Sequence, residues 1–337
     1  MPTATSPWLL LAVFSGALIS LQSRLTGGLA AGLGGDGSAA AVLSFGSGLL
    51  VLALGLCAVR TARRGVTRVV RDVRARRLRP WQVLGGFGGA AFVLTQGLTV
   101  GVLGVALFSV AVVAGQVAGG LVFDRVGLGP AGPQRPTRRR VVGALLVLAA
   151  VVLSVADKLG GNLPYAALVL PLVAGVCVSW QQAVNGHVRD ASGSAYTGTF
   201  FNFLAGTGAL AVVFLVHAAL AGLPHRLPSE PYLYLGGLVG IAFISIAVAA
   251  VRKLGVLLLG LCTITGQLAG SLALDLLLPH GGTEVTAATV AGIALALVAV
   301  TVAALPGGGP GRVVTGGAPA PRGATTASEP SPDRPRG

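Results

Sequence analysis

The strongest constraint on the fold of this chain is an internal duplication. The segment GQVAGGLVFD at 115–124 returns 151 residues later as GQLAGSLALD at 266–275. Three further pairs occur in the same order: the stretches that begin at Gly16 and Gly175, SF at 44–45 with NF at 202–203, and LGG at 84–86 with 235–237. Blocks that match in one order predict two copies of one structural unit.

The composition places both copies in a membrane. The chain is 53% hydrophobic and 10% charged, whereas a soluble domain carries about 25% charged residues. Its apolar stretches reach about 20 residues, which is enough for a helix to cross a bilayer core. Alternating polar and apolar strands, which are typical of an outer-membrane barrel, are absent from the sequence. We therefore predict an all-α integral membrane protein.

Ten transmembrane helices fit the pattern, five in each copy. The predicted spans are 8–30, 38–59, 81–100, 103–123 and 140–157, then 165–187, 195–221, 232–251, 255–277 and 286–305. They define a first repeat at 1–158 with a basic loop at 60–79, and a second repeat at 164–305. The segment 306–337 is rich in Pro, Gly, Ala, Ser and Thr, which predicts a disordered cytoplasmic tail.

The arginines predict the orientation of the spans. Nine of them lie between 60 and 79 and five between 125 and 140. With both termini in the cytoplasm, most basic residues fall on the cytoplasmic side, as the positive-inside rule requires. An odd number of spans per copy then inverts the second copy, so that Asp124 and Asp275 lie at opposite faces. Contact of the basic loops with anionic lipid is an alternative use of the charge; nucleic acid is not an expected partner.

The repeated motifs resemble a known family. Q-S/Q-x-x-x-G in the first span, S/N-F in the second and G-Q-x-A-G-x-x-x-D in the fourth are similar to the YdcZ-like branch of the drug/metabolite transporter superfamily. The resemblance covers residues 8–305 and implies a fused ten-helix exporter of the cytoplasmic membrane, with a central cavity between spans one to four and six to nine. It also implies proton coupling as an expectation.

Polar side chains inside the spans are the candidate substrate-binding residues. Gln22 and Thr26, like Gln181 and Asn185, are spaced i, i+4 and share a helix face. Amides offer donors and acceptors, which suits a neutral or zwitterionic solute. Hydrogen bonding between helices is the alternative use of such groups. The further candidates are Gln96, Gln116, Asn202 and Gln267, with Trp180 either stacking on a solute or packing.

Asp124 and Asp275 are candidate gates or proton sites, with helix capping as the alternative. No catalytic or metal-binding motif occurs: G-x-x-x-x-G-K, HExxH and GxSxG are absent, and the three cysteines and four histidines do not cluster. We expect no enzyme activity and no cofactor. The sequence predicts a secondary transporter of a small solute, with a channel or a non-transporting scaffold as alternatives; it leaves open the substrate and whether the chain forms a homodimer.

Overall fold

A computed structural model describes residues 6–154, 168–224, 227–277 and 287–305. All regular structure in these ranges is helical, as predicted. The ten α-helices are α1 (Ser6–Gly32), α2 (Gly37–Ala58), α3 (Arg60–Arg74), α4 (Gly86–Val126), α5 (Arg138–Ser154), α6 (Val169–Ser192), α7 (Ala195–Ala221), α8 (Gly236–Leu254), α9 (Val256–Leu277) and α10 (Ala287–Ala304). Short 3-10 turns at Pro80–Val83 and Pro231–Leu235 precede α4 and α8. The predicted tail at 306–337 lies outside the described residues.

Eight of the predicted spans correspond one to one with a helix, namely α1, α2 and α5 to α10, with ends that agree within five residues. In the described part of the chain, five helical segments are long and apolar enough to cross a membrane. They are Pro7–Gly32, Gly37–Ala58, Ala195–Leu220, Pro231–Leu254 and Val256–Leu274. The helical membrane class is therefore confirmed.

The basic segment at 60–79, which we expected to be a loop, begins with a helix. In α3 the small and apolar residues Ala62, Gly65 and Val69 are buried, and their spacing of three and four residues is that of one helix face. Gly65 lies directly against Thr197, and Arg68 donates to the carbonyl of Ser192 at 3.2 Å. Packing on the junction of α6 and α7 therefore holds this highly charged segment in a helix.

The predicted spans 81–100 and 103–123 form a single helix, α4, of 41 residues. A straight helix of that length would extend about 60 Å, but α4 turns back on itself. The rings of Phe92 and Phe108 lie 5.6 Å apart, although 16 residues of straight helix span about 24 Å. Both limbs also contact the same stretch of α6: an added Cβ on Gly88 would lie 2.5 Å from the Cys177 carbonyl, and one on Gly119 would lie 3.2 Å from Val176. The expected reversal is present without the expected break in the helix.

Equivalent positions of the duplicated sequence make equivalent contacts. Gly16 of α1 lies against the backbone of α9 at Thr263 and Gln267, and Gly175 of α6 lies against α4 at Val112 and Gln116. The Ser20 hydroxyl donates to the Gln267 carbonyl at 2.7 Å, and the Ser179 hydroxyl donates to the Gln116 carbonyl at 2.8 Å. Each crossing joins one half of the sequence to the other. Glycine is required at these positions because the two helix backbones are in close contact.

Helices α2 and α7 pack against each other and run antiparallel. Phe45 packs over Gly206, Phe203 packs over Gly48, and the Tyr196 hydroxyl donates to the Leu52 carbonyl at 2.5 Å. The largest buried apolar cluster lies elsewhere, around the start of α9 between Val256 and Ile264. One end of the bundle is therefore densely packed.

Candidate functional site

Two polar pairs occupy equivalent positions in the two halves of the sequence. In the first half the hydroxyls of Thr26 and Ser44 lie 3.2 Å apart. In the second half Asn185 donates from Nδ2 to Oδ1 of Asn202 at 2.8 Å. Asn185 and Asn202 are 4% and 0% exposed, so this amide pair is wholly buried. The pairs link α1 to α2 and α6 to α7 with different chemistry at matched places.

Glycines allow each pair to approach the following helix. Gly85, just before α4, leaves no room for a Cβ because Oδ1 of Asn185 occupies that position. Its equivalent at the start of α8 is Gly236, where a Cβ would lie 3.0 Å from the Ser44 hydroxyl oxygen. The repeated LGG motif thus has a local cause: its glycines lie directly against the polar pairs.

Gln181 and Gln22 hold a second pair of matched positions. The buried amide of Gln181 lies over Gly88 and Gly89 of α4, with its Oε1 3.0 Å from the position of a Cβ on Gly88. The half-buried Gln22 lies over Gly240 of α8, with its Nε2 3.1 Å from the position of a Cβ there. The i, i+4 prediction holds for α6 in the sense that Gln181 and Asn185 both face the start of α4.

An aromatic pair lies between these two glutamines. The rings of Phe45 and Phe203 are 5.3 Å apart. Phe45 lies near Gly89, which Gln181 also contacts, and Phe203 lies near Gly240, which Gln22 also contacts. The sequence pattern predicted the neighbouring Asn202 as a binding residue, but it did not predict a role for these two rings. Their signal was present in the repeated SF and NF blocks.

Two amides of this cluster have atoms without a partner. Gln181 Oε1 and Asn202 Nδ2 are buried and accept or donate no hydrogen bond within the described structure. A buried unpaired polar atom costs about 1–3 kcal/mol, and native structures rarely retain one without a reason. One free acceptor and one free donor therefore lie in the same region of α4, α6 and α7. We call Gln22, Gln181, Asn185 and Asn202 the amide cluster.

The remaining predicted binding residues lie at the edge of this arrangement or outside it. Gln116 and Gln267 accept the serine hydroxyls at the helix crossings through their backbone carbonyls, and their side chains are half-buried. Within the described structure, no hydrogen bond joins those side chains to the amide cluster. Gln96 is exposed on α4. Trp180 stacks on Trp81 with ring centroids 6.4 Å apart, as its packing alternative predicts.

Asp124 connects three helices at the densely packed end. Its carboxylate accepts from the N–H groups of Val256 at 2.7 Å and Leu257 at 3.1 Å, so it caps α9. Arg140 of α5 lies 3.6 Å away as a counter-ion. The chain reaches this cap through Gly255, whose φ of +80° suits glycine. The side chain of the matched Asp275 lies outside the described residues.

No group of three potential metal ligands occurs in the part of the chain that the structure describes.

Comparison with known protein families identifies the family of this chain. A family model described as "Putative inner membrane exporter, YdcZ" matches residues 7–153 and again 166–302. The chain belongs to the YdcZ family. The two matched segments coincide with the two copies that the sequence duplication predicts, and the resemblance noted from the motifs is confirmed.

Solved structures agree on the fold of this YdcZ-family chain. A chain titled "Crystal structure of protein" aligns with a TM-score of 0.60 at 21% identity. The alignment covers 89% of this chain and 96% of the other, so most of the fold is shared. Among curated proteins no relative matches.

Proposed function

We propose that this YdcZ-family protein is a secondary transporter that moves a small polar solute across the cytoplasmic membrane by alternating access. The observation that carries the proposal is the amide cluster, with a free donor and a free acceptor buried beside the Phe45–Phe203 pair. A membrane protein gains nothing from unpaired buried amides unless another group satisfies them. A solute that enters between the two halves would do so.

The way the two halves pack fits an inverted repeat, and this fit supports the mechanism. Helix α2 meets its counterpart α7 in antiparallel orientation, and the crossing of α1 with α9 has its equivalent in the crossing of α6 with α4. A two-fold axis that lies in the membrane plane relates units in this way. On this proposal residues 1–158 and 164–305 are inverted five-span repeats, and rocking of one against the other exposes the central site to each side in turn. The termini are then cytoplasmic.

The chemistry of the site favours an uncharged or zwitterionic solute. The amide cluster and the Thr26–Ser44 pair carry no formal charge, so they offer hydrogen bonds without an ionic partner. The aromatic rings supply an apolar surface between the amides. Export is the direction that the family description supports. Gln96, Gln116 and Gln267 remain candidates for a wider lining of the path.

Asp124 fits a gate better than a proton carrier. Its carboxylate already accepts two N–H groups and faces Arg140, so it is engaged in holding three helices together. We assign it the role of a latch that holds the start of α9 at one end of the path. By the repeat, Asp275 would hold the second limb of α4 at the other end, where Leu103-Gly104-Val105 matches Leu254-Gly255-Val256. Opening one latch while the other is closed is what alternating access requires.

A ligand screen followed by flux measurement tests this function. Purified protein is screened by thermal shift against a metabolite panel, and any stabilising solute is then measured in proteoliposomes. Replacement of Gln22, Gln181, Asn185 and Asn202 by apolar residues should abolish both the stabilisation and the flux. Thr301→Val is the matched control, since this exposed hydroxyl on α10 bonds only to the carbonyl of Leu297 within the described structure. Full flux in the four-residue variant would refute the assignment of the site.

A further inference from the structure

Helix α3 has three distinct faces. One face, with Ala62, Gly65 and Val69, is buried against the bundle. The opposite face carries the arginines, which line an open cleft together with Thr67: Arg60, Arg63, Arg64, Arg68 and Arg71. Between the two lies an edge formed by Val59, Val66 and Val70, of which Val59 is 40% and Val70 is 38% exposed. We call this stripe the valine edge.

The position of α3 relates these faces to the membrane boundary. The candidate span of α2 ends at Ala58, and α3 begins at Arg60 after one extended residue. The first arginines therefore lie within a few residues of the apolar core, at the depth of the headgroups. A helix with an apolar stripe and a cationic face at that depth is suited to lie in the interface.

The arginines of α3 have little internal compensation. Within the described residues, the one ion pair of this helix joins Arg71 to Asp72 at 3.6 Å, and Arg71 remains 69% exposed. Arg68 instead holds the helix to the bundle through Ser192. Guanidinium groups recognise phosphate oxygens through paired hydrogen bonds. The other arginines of the cleft, Arg60, Arg63, Arg64 and Arg71, are therefore available to bind an anion outside the protein.

We propose that α3 is a docking surface for anionic phospholipid headgroups. The arginine face binds the phosphates while the valine edge enters the acyl boundary beside them. The valine edge favours lipid over a soluble anion. Acyl chains remove the valine side chains from water, whereas a dissolved phosphate leaves them exposed to water. This role goes beyond the retention of basic loops in the cytoplasm, which depends on charge alone and not on a helix with an apolar edge.

Depth measurements test the geometry. A spin label is placed at Val70→Cys or at Thr67→Cys in a chain whose three native cysteines are serine, reconstituted in nanodiscs of phosphatidylcholine and phosphatidylglycerol. The label at 70 should be more accessible to oxygen than to a water-soluble nickel chelate, and the label at 67, on the arginine face, should show the reverse order. Equal access of the chelate to both positions would overturn the proposal.

Lipid retention tests the chemistry. Native mass spectrometry counts the phosphatidylglycerol that remains on the purified chain. Replacing Arg60, Arg63, Arg64 and Arg71 by Gln should weaken retention at least tenfold, since one basic residue near an anionic surface contributes about fivefold. The same four positions changed to Lys keep the charge but not the paired hydrogen bonds, so this variant should retain clearly more lipid than the Gln variant. Five arginines remain in the 60–79 segment as orientation signals, namely Arg68, Arg74, Arg76, Arg77 and Arg79.

Two results would contradict lipid docking in this second experiment. One is undiminished phosphatidylglycerol retention in the Gln variant. This result counts when the variant protein is present in the membrane in the same amount as the wild type and has the same thermal midpoint of unfolding. The other is complete displacement of the lipid by inorganic phosphate at millimolar concentration. That result would identify a site for a soluble anion. The expected result is loss in the Gln variant, clearly greater retention in the Lys variant and no displacement by phosphate.

Discussion

At the scale of single residues, the carboxylate of Asp124 joins the two halves of the chain. It satisfies the first two N–H groups of α9, which have no partner within their own helix. Its side chain is only 5% exposed and Arg140 faces it. One carboxylate thus fixes the ends of α4, α5 and α9 together, at the end of the bundle where the apolar core is largest.

Removing this cap should be costly. Asp124→Ala should lower the free energy of unfolding by about 2–3 kcal/mol, because it leaves two buried N–H groups without their acceptor and removes the counter-ion of Arg140. Denaturant unfolding in detergent measures the change. Asp190→Asn is the control: that carboxylate is 27% exposed where it pairs with Arg189 and Arg252, and such surface pairs contribute about 0–1 kcal/mol. Equal losses in the two variants would contradict the role given to Asp124.

Asp36 predicts a pH dependence. It lies between α1 and α2 and caps α2 through the N–H groups of Ser38 and Ala39. Partial burial raises the pKa of this carboxyl, but the hydrogen bonds from Ser38 and Ala39 and the nearby His217 lower it more, so that the net pKa lies below its ordinary value of 3.8. A depressed pKa gives stability that is present above pH 3.8 and is lost as the pH falls through the folded-state value.

The corresponding measurement compares wild type with Asp36→Ala across pH. At neutral pH the substitution should cost about 1 kcal/mol, as loss of an N-cap does. The gap between the two proteins should narrow as the carboxyl becomes protonated below its depressed pKa. A gap that stays constant down to strongly acid pH would show that the charge of Asp36 contributes nothing.

At the scale of elements, glycine sets which helices can cross. Gly175 touches the backbone of α4 so closely that a methyl group would overlap the Val112 carbonyl, whereas nothing lies within 4 Å of the position of a Cβ on Gly46 in α2. Gly175→Ala should therefore destabilise the protein by about 1–3 kcal/mol through forced separation of α4 and α6. Gly46→Ala should be neutral or stabilising by up to about 1 kcal/mol, because alanine favours the helix.

Unfolding midpoints of both glycine variants in one detergent provide the comparison. A larger loss for Gly46→Ala than for Gly175→Ala would mean that close packing at the α4–α6 crossing does not limit stability.

The sequence predicted most helices but misjudged two segments. Apolar length located α1, α2 and α5 to α10, because a membrane span has to be long and apolar. The many arginines led to the prediction of a loop where α3 lies, although Ala62, Val69 and Val73 follow helical spacing among them. In α4 the reversal was predicted, yet the helix continues through Gly104. The matching glycine of the second half, Gly255, lies between α8 and α9 with φ +80°. A local glycine pattern alone does not decide between these outcomes.

At the scale of the whole molecule, the helix crossings of the two halves match, but the polar pairs of the two halves differ in chemistry. The glycine and serine contacts between the halves are matched pair by pair, but the hydroxyl pair of the first half corresponds to an amide pair in the second. The polar members of the candidate site could be predicted, because amides stand out in an apolar chain. Phe45 and Phe203 were marked by the repeated SF and NF blocks, but those blocks do not show that the two rings meet. The unpaired atoms of Gln181 and Asn202 require coordinates to be recognised.

This asymmetry predicts where substrate choice lies. Asn185→Thr with Asn202→Ser gives the second half the hydroxyl pair of the first, and the smaller pair keeps a hydrogen bond, so the fold should persist. Affinity for the transported solute should fall about tenfold, which corresponds to the loss of one hydrogen bond. Solute titrations by thermal shift give the ratio. Unchanged affinity in the double variant would exclude the amide pair from the site.

Solute counterflow in proteoliposomes tests the central claim, alternating access in this YdcZ-family protein, most directly. Vesicles loaded with unlabelled solute are diluted into a trace of the labelled form, and uptake is followed over time. Alternating access predicts a transient accumulation of label above equilibrium and a rate that saturates with solute concentration. Flux that rises linearly with concentration and shows no counterflow would identify a channel and contradict the account.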